Sequence, residues 1–142
     1  MLIGTHFHTV DDKGRFRLPP KFKSELGESF VLVKGVDGCV YAFSEEGFKT
    51  HFADKLGSQS VVDKDLLKSL RHLLPSAYEA ETDNQGRVPL PSHLKEHAGI
   101  TKEIAILGMV GHVEIWDKER WARYQDGSEF DAAVSALKEY KI

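Results

Sequence analysis

The sequence predicts an α+β fold with a mainly β core and short helices, built from two tandem, pseudo-symmetric copies of one unit in a single domain. Three observations carry this. Residues 11–19, Asp-Asp-Lys-Gly-Arg-Phe-Arg-Leu-Pro, return at 83–91 as Asp-Asn-Gln-Gly-Arg-Val-Pro-Leu-Pro. The offset then holds over a long stretch. Asp11/Asp83, Gly14/Gly86, Arg15/Arg87, Leu18/Leu90, Pro19/Pro91, Lys23/Lys95 and Gly27/Gly99 are all 72 apart. After a one-residue slip, Gly35/Gly108, Gly38/Gly111, Val40/Val113, Phe43/Trp116 and Phe48/Trp121 follow at 73. Between these marks the apolar residues fall in short strand-like runs broken by turn residues. A period of 72 is too long for a solenoid repeat and marks two copies of one supersecondary unit. Two such copies pack about a pseudo-twofold axis, so the duplicated Asp-x-x-Gly-Arg is expected twice on one surface.

The first copy opens with a strand over residues 3–10. Asp11-Asp12-Lys13-Gly14 is turn chemistry, in which Asp caps its own backbone and Gly supplies positive φ. Arg15-Phe16-Arg17-Leu18 alternates with period two as a second, half-buried strand. Pro19-Pro20 opens a short helix to Leu26, and Gly27 closes it. Phe30–Lys34 and Cys39–Phe43 form a hairpin about Gly35-Val36-Asp37-Gly38. Ser44 caps a helix with the stripe Phe48, Phe52 and Leu56, ended by Gly57 before a Ser58-Gln59-Ser60 loop. A leucine-rich helix runs from Asp63, with Leu66, Leu67, Leu70, Leu73 and Leu74 on one stripe, and Pro75 stops it. Those leucines are expected to be buried against the core or a neighbouring subunit.

The second copy repeats the plan. It has a strand at 76–82, the motif, a strand, a helix at 91–98, and a hairpin of Glu103–Leu107 with His112–Trp116. Asp117 then caps a helix carrying Trp121. Ser128-x-x-Asp131 opens a last helix with Phe130, Ala133, Val134 and Leu137 on one face. The expected divisions are residues 1–57, first repeat; 58–75, inserted leucine helix; 76–125, second repeat; and 126–142, C-terminal helix.

Composition narrows the function. The chain's 142 residues suit one domain with a sizeable core. No run approaches 18 apolar residues, and Met-Leu-Ile-Gly-Thr-His is no signal peptide, so a cytoplasmic protein without a membrane partner is expected. The single Cys39 cannot form an internal disulfide and reads as a small core residue. A net charge of −3 argues mildly against nucleic acid. Yet Lys13, Arg15, Arg17, Lys21 and Lys23 face only Asp12 between residues 12 and 23, a local basic footprint.

Strand alternation puts Lys13, Arg15 and Arg17 on one face, with Phe16 and Leu18 on the other. Cations spaced so suit a phosphate backbone or a major groove. The plainer alternative is a tight turn whose Asp and Arg only tie it together. Gly35-x-x-Gly38 and Gly108-x-x-Gly111 match an RNA-binding Gly-x-x-Gly loop, but that loop joins helices and these lie between strands. His6/His8 and His93/His97 have spacings that zinc could use, without a Cys or Glu completing a ligand frame, so no metal is expected. With no nucleophile elbow, phosphate loop or converging carboxylates, neither an enzyme nor a cofactor is expected. The Phe43/Trp116 and Phe48/Trp121 pairs suit a shared core.

These residues resemble the bacterial MraZ family, marked by a tandem Asp-x-x-x-Arg within an Asp-x-x-Gly-Arg frame, here Asp11–Arg15 and Asp83–Arg87. Arg71-His-Leu-Leu-Pro75 and Glu114-Ile-Trp-Asp117 resemble its other segments. The resemblance implies interleaved swapped hairpins like those of the AbrB and MazE DNA-binding domains, with both copies in one chain. It implies a ring-shaped homo-oligomer of more than two subunits. The partner it implies is double-stranded DNA, at repeated elements upstream of the division and cell-wall gene cluster, which includes the protein's own gene. Nucleoid association follows. The DNA-binding residues would be Asp11, Lys13, Gly14, Arg15, Arg17, Asp83, Gly86 and Arg87. Pro89 stands where Arg17 stands in copy one, so the second motif is expected to present Arg87 differently. The competing readings are a structural or partner-binding ring held by the Asp–Arg turns, and a toxin-binding antitoxin, which would need a long disordered tail.

Overall fold

The computed structural model describes residues 1–54, 63–127 and 129–142. Its first copy consists of β1 (Ile3–Thr9), β2 (Arg15–Arg17), α1 (Pro20–Leu26), β3 (Ser29–Gly35), β4 (Cys39–Ser44) and α2 (Glu45–Lys49). A π-type turn, Thr50–Asp54, continues α2. Then come α3 (Lys64–Leu73) and a 3-10 turn at Leu74–Ser76. The second copy has β5 (Tyr78–Glu81), β6 (Arg87–Pro89), α4 (Ser92–Ala98), β7 (Glu103–Met109), β8 (Val113–Asp117) and α5 (Lys118–Asp126). A short α6 (Phe130–Ala133) and a 3-10 segment (Ser135–Tyr140) follow.

The copies interleave. One antiparallel six-stranded sheet runs β1-β7-β8-β4-β3-β5, and β2 and β6 form a separate two-stranded ribbon. β1 of copy one pairs with β7 of copy two, from Ile3↔Met109 to Thr9↔Glu103. In return, β5 of copy two pairs with β3 of copy one. At two places a residue faces its own repeat equivalent, Phe16↔Val88 in the ribbon and Tyr41↔Glu114 in the sheet. The pseudo-twofold axis therefore passes through the middle of the ribbon and the middle of the sheet.

Strand alternation divides the apolar residues between the two sheet faces. Ile104, Ile106, Val113 and Ile115 point into the main core with Phe16, Phe22, Phe30, Leu32, Val88 and Leu94. Ala105, Leu107 and Trp116 point the other way and join Cys39. Burial pushes the Cys39 thiol up to about 12, as befits an inert core residue. α1 starts on Pro19-Pro20, sinks Phe22 and Leu26 into the core, and stops at Gly27, whose φ is +90°. α4 buries Leu94 and Ala98 and closes on Gly99 at φ +63°. Arg120 of α5 then staples the structure, donating to the carbonyls of Gly38 at 3.0 Å and His97 at 3.3 Å.

The aromatic pairs cover the outer sheet face. Trp116, Trp121 and Tyr124 stack within 5.1 to 5.9 Å of one another. In copy one the π-type turn crowds Phe48, His51 and Phe52 around Phe43, at 5.8, 5.2 and 6.0 Å. An α-helical continuation from Ser44 was expected there. The wider turn inserts an extra residue and brings all three rings to bear on Phe43. Leu56, Gly57, the 58–60 loop and Ser128 lie outside the described residues.

α3 begins where Asp63 caps it, accepting from Leu66 N–H at 3.0 Å. Its leucines, however, are not buried in the chain's own core. Leu66, Leu67, Leu70 and Leu73 are half-buried, and Leu74 is exposed. The helix is tied down mainly at its C-terminal end, where Ser76 Oγ accepts from Lys34 N–H and donates to the Leu73 carbonyl. In the C-terminal segment the expected apolar face is largely exposed, Phe130 at 77% and Leu137 at 40%, with Val134 half-buried.

Candidate nucleic-acid interface

The two Asp-x-x-Gly-Arg turns have the same construction. Asp11 Oδ1 accepts from the N–H groups of Lys13 and Arg15, both at 2.9 Å, and Oδ2 takes Arg15 Nε at 3.1 Å. Asp83 Oδ1 accepts from Gln85 and Arg87 N–H at 2.9 Å, and Oδ2 takes Arg87 Nε at 2.8 Å. Each Gly bonds back to the Asp carbonyl at 3.0 Å from a left-handed conformation, φ +75° at Gly14 and +76° at Gly86. Asp is required for a carboxylate that can serve two amides and a guanidinium; Gly is required for the φ. The N–H of Arg15, with that of Lys13 and the guanidinium, holds the Asp11 carboxyl below its usual range. The N–H of Arg87 leads the same effect at Asp83 and brings it to about 2.

The ribbon merges the two motifs. β2 and β6 run antiparallel with Arg15 opposite Pro89 and Arg17 opposite Arg87. Arg15 Nη1 also lies 3.8 Å from Asp83 Oδ2, so one carboxylate touches both arginines. Phe16 and Val88 turn inward and are buried; Arg17 and Lys13 are exposed, and Arg15 and Arg87 are partly so. Lys13 sits in the turn rather than on the strand, because β2 begins at Arg15. Tying Nε fixes each guanidinium plane and leaves the Nη edge as the reaching group. Among the described residues no hydrogen bond or ion pair engages the side chains of Lys13 or Arg17, or the Nη groups of Arg87.

Sequence reasoning missed the wall beside the ribbon. Phe7, His8 and Thr9 of β1 line a groove of about 550 Å³ with Asp11, Arg15, Phe16, Arg17 and Arg87. Burial and neighbouring His6 lower the His8 pKa, which favours its neutral form. The one available signal was adjacency: β1 feeds directly into the Asp11 turn. On the copy-two side the wall is acidic, with Glu28, Glu81 and Asp83 around Lys23. His93 Nε2 and His97 Nε2 each lie 2.9 Å from a backbone carbonyl oxygen. No helix among the described residues is long and apolar enough to cross a membrane.

Comparison with known proteins bears on the whole chain. The family model described as "MraZ protein", with the added description antitoxin-like, matches residues 1–68 and 73–138, two segments that start 72 residues apart. A protein of Caldanaerobacter subterraneus subsp. tengcongensis named "Transcriptional regulator MraZ" is 41% identical over the full length of both chains. One of the same name from Alkaliphilus metalliredigens is 35% identical, again over both full lengths. A third, from Limosilactobacillus fermentum, is 39% identical over 96% of each. These relatives carry the name of a regulator and not of an enzyme. With duplication, interleaved strands and both Asp–Arg turns in place, and matches spanning the chain from end to end, this protein belongs to the MraZ family.

Proposed function

We propose that this protein is a transcriptional regulator that binds double-stranded DNA through the β2–β6 ribbon. The carrying observation is the merging of two Asp-fixed arginine turns into one ribbon on the pseudo-twofold axis, in a protein whose net charge is otherwise negative. Lys13, Arg15, Arg17 and Arg87 supply the contacts to phosphate or base edges. Asp11, Gly14, Asp83 and Gly86 hold them in place. One ribbon makes about four phosphate contacts, too few for tight binding at physiological salt. Several chains on one DNA raise the effective concentration of each ribbon. This fits the ring homo-oligomer of more than two subunits that the family resemblance implies, and the resemblance likewise implies repeated elements at the division and cell-wall gene cluster, with the protein's own gene, as targets. That places the protein in the cytoplasm, at the nucleoid.

Fluorescence anisotropy with DNA from upstream of the protein's own gene, over a salt series, tests this. Arg15→Ala and Arg87→Ala should each weaken binding about 5- to 150-fold, by roughly 1–3 kcal/mol. A structural role for the turns has its own support in the Arg15–Asp83 contact and the partial burial of both arginines. Under that reading the same variants lose assembly or stability while DNA affinity per intact oligomer stays the same.

A further inference from the structure

Val110, at the tip between β7 and β8, breaks two rules at once. Its φ is +66°, in the left-handed region where a β-branched residue is strained, and it is 66% exposed. The repeat provides a control. Asp37, 73 residues earlier at the tip between β3 and β4, has the same φ of +66°, and aspartate tolerates both the conformation and the water. The tip therefore does not need valine in order to fold. The apolar surface around Val110 is continuous. Met109 is 47% exposed and sits opposite Ile3, which is 56% exposed, while Val110 N–H bonds to the Leu2 carbonyl. Gly108 permits this approach, since a Cβ there would collide with the backbone of Leu2 and Ile3.

The leucine face of α3 is a second apolar surface with incomplete cover, and its surroundings complement the first. Lys64, Lys68 and Arg71 flank its stripe, and none makes an ion pair among the described residues. Beside the Val110 tip stands the acidic first turn of α2, Glu45 and Glu46. Glu46 shares a cavity of about 440 Å³ with Gly111 and His112, and a Cβ on Gly47 would lie 3.9 Å from the Gly111 carbonyl oxygen. Within one chain α3 is already placed at the other tip, where Ser69, His72 and Leu73 line a groove with Gly35 and Val36.

We propose that α3 of one copy lays Leu66, Leu67, Leu70 and Leu74 over the Ile3–Met109–Val110 tip of a second copy, with Lys64, Lys68 and Arg71 meeting Glu45 and Glu46. This deepens the assembly reading above and rests on it, naming the surfaces that join neighbours. The mode is an amphipathic helix laid apolar face down. The contact is head-to-tail: each chain offers one tip and one helix, so the chain of contacts ends only by closing into a ring.

The test is light scattering and native mass spectrometry on wild type, Val110→Asp, Leu70→Asp and their equimolar mixture. Val110→Asp reproduces the residue of the other tip, so it should fold, and circular dichroism checks both variants. Each should raise the subunit dissociation constant on the order of 100-fold or more. The mixture holds one sound tip and one sound helix and should form a 1:1 heterodimer and nothing larger. Rings that survive either substitution, or a mixture that stays monomeric, overturn this contact alone. A wild type that is monomeric at micromolar concentration overturns the contact and the ring reading together, while DNA binding is judged separately by the Arg15 and Arg87 variants.

Discussion

Asp83 is where the chemistry of the turn can be read most directly. Its carboxyl is held down to about 2 because the N–H of Arg87, then that of Gln85 and the guanidinium, favour the charged form. A folded-state pKa below the ordinary 3.8 contributes stability above that value and loses it as pH falls toward 2. Carboxyl NMR should place the Asp83 midpoint near 2, and Arg87→Ala should move it up toward the ordinary range. Asp11→Ala removes the bond that fixes Arg15 Nε, and if the ribbon binds DNA as proposed, refixing that side chain should cost about 0.5–1.5 kcal/mol, a loss of up to roughly 10-fold in affinity. Every residue of this lock was legible, because an Asx turn is local chemistry repeated twice. Arg17 facing Arg87 was not, since cross-strand partners lie 70 residues apart. Nor was the Phe7–His8–Thr9 wall, because β1 is exposed on both faces and shows no clean period.

At the scale of elements, burial separates a leucine of α4 from those of α3. Leu94 of α4 is fully buried, and Leu94→Ala should cost about 2–5 kcal/mol of unfolding free energy. Leu70 of α3 is only half-buried in the chain, so Leu70→Ala should cost about 1 kcal/mol or less in the monomer, with the larger loss appearing in assembly. Urea denaturation at low and high protein concentration separates the two terms. Periodicity showed that α3 is amphipathic and where it starts and stops. It did not show what the stripe faces, because a repeat pattern records the side chains of one surface and never those of its partner. The π-type turn after α2 was hidden for a related reason: the pull of Phe43 on three rings overrides the local helical period.

For the whole molecule, the duplication made two units legible, and the resemblance alone supplied their interleaving. Nothing local in Ile3–Thr9 specifies Glu103–Met109 as its partner. The asymmetry within the ribbon has a measurable consequence. Copy one brings Lys13, Arg15 and Arg17, while copy two brings Gln85, Arg87 and Pro89 to the matching places. Counterion release gives a slope of about −0.9 per phosphate in log affinity against log salt. Neutralising the three copy-one cations should therefore flatten the slope by up to about 3 per participating subunit, against about 1 for Arg87→Ala. Equal changes would mean that the DNA lies elsewhere than along β2.

The β1–β7 pairing also sets a timetable for synthesis. Ile3 leaves the ribosome about 100 residues before its partner Met109, a delay of roughly 5–20 s at ordinary elongation rates. Until then the six-stranded sheet has no β7 or β8, and β1 has no neighbour to bond. Neither copy closes during translation, and folding waits for the last hairpin. A chain cut short before Glu103 leaves β1 without its sheet partner, so such fragments should be degraded rather than fold.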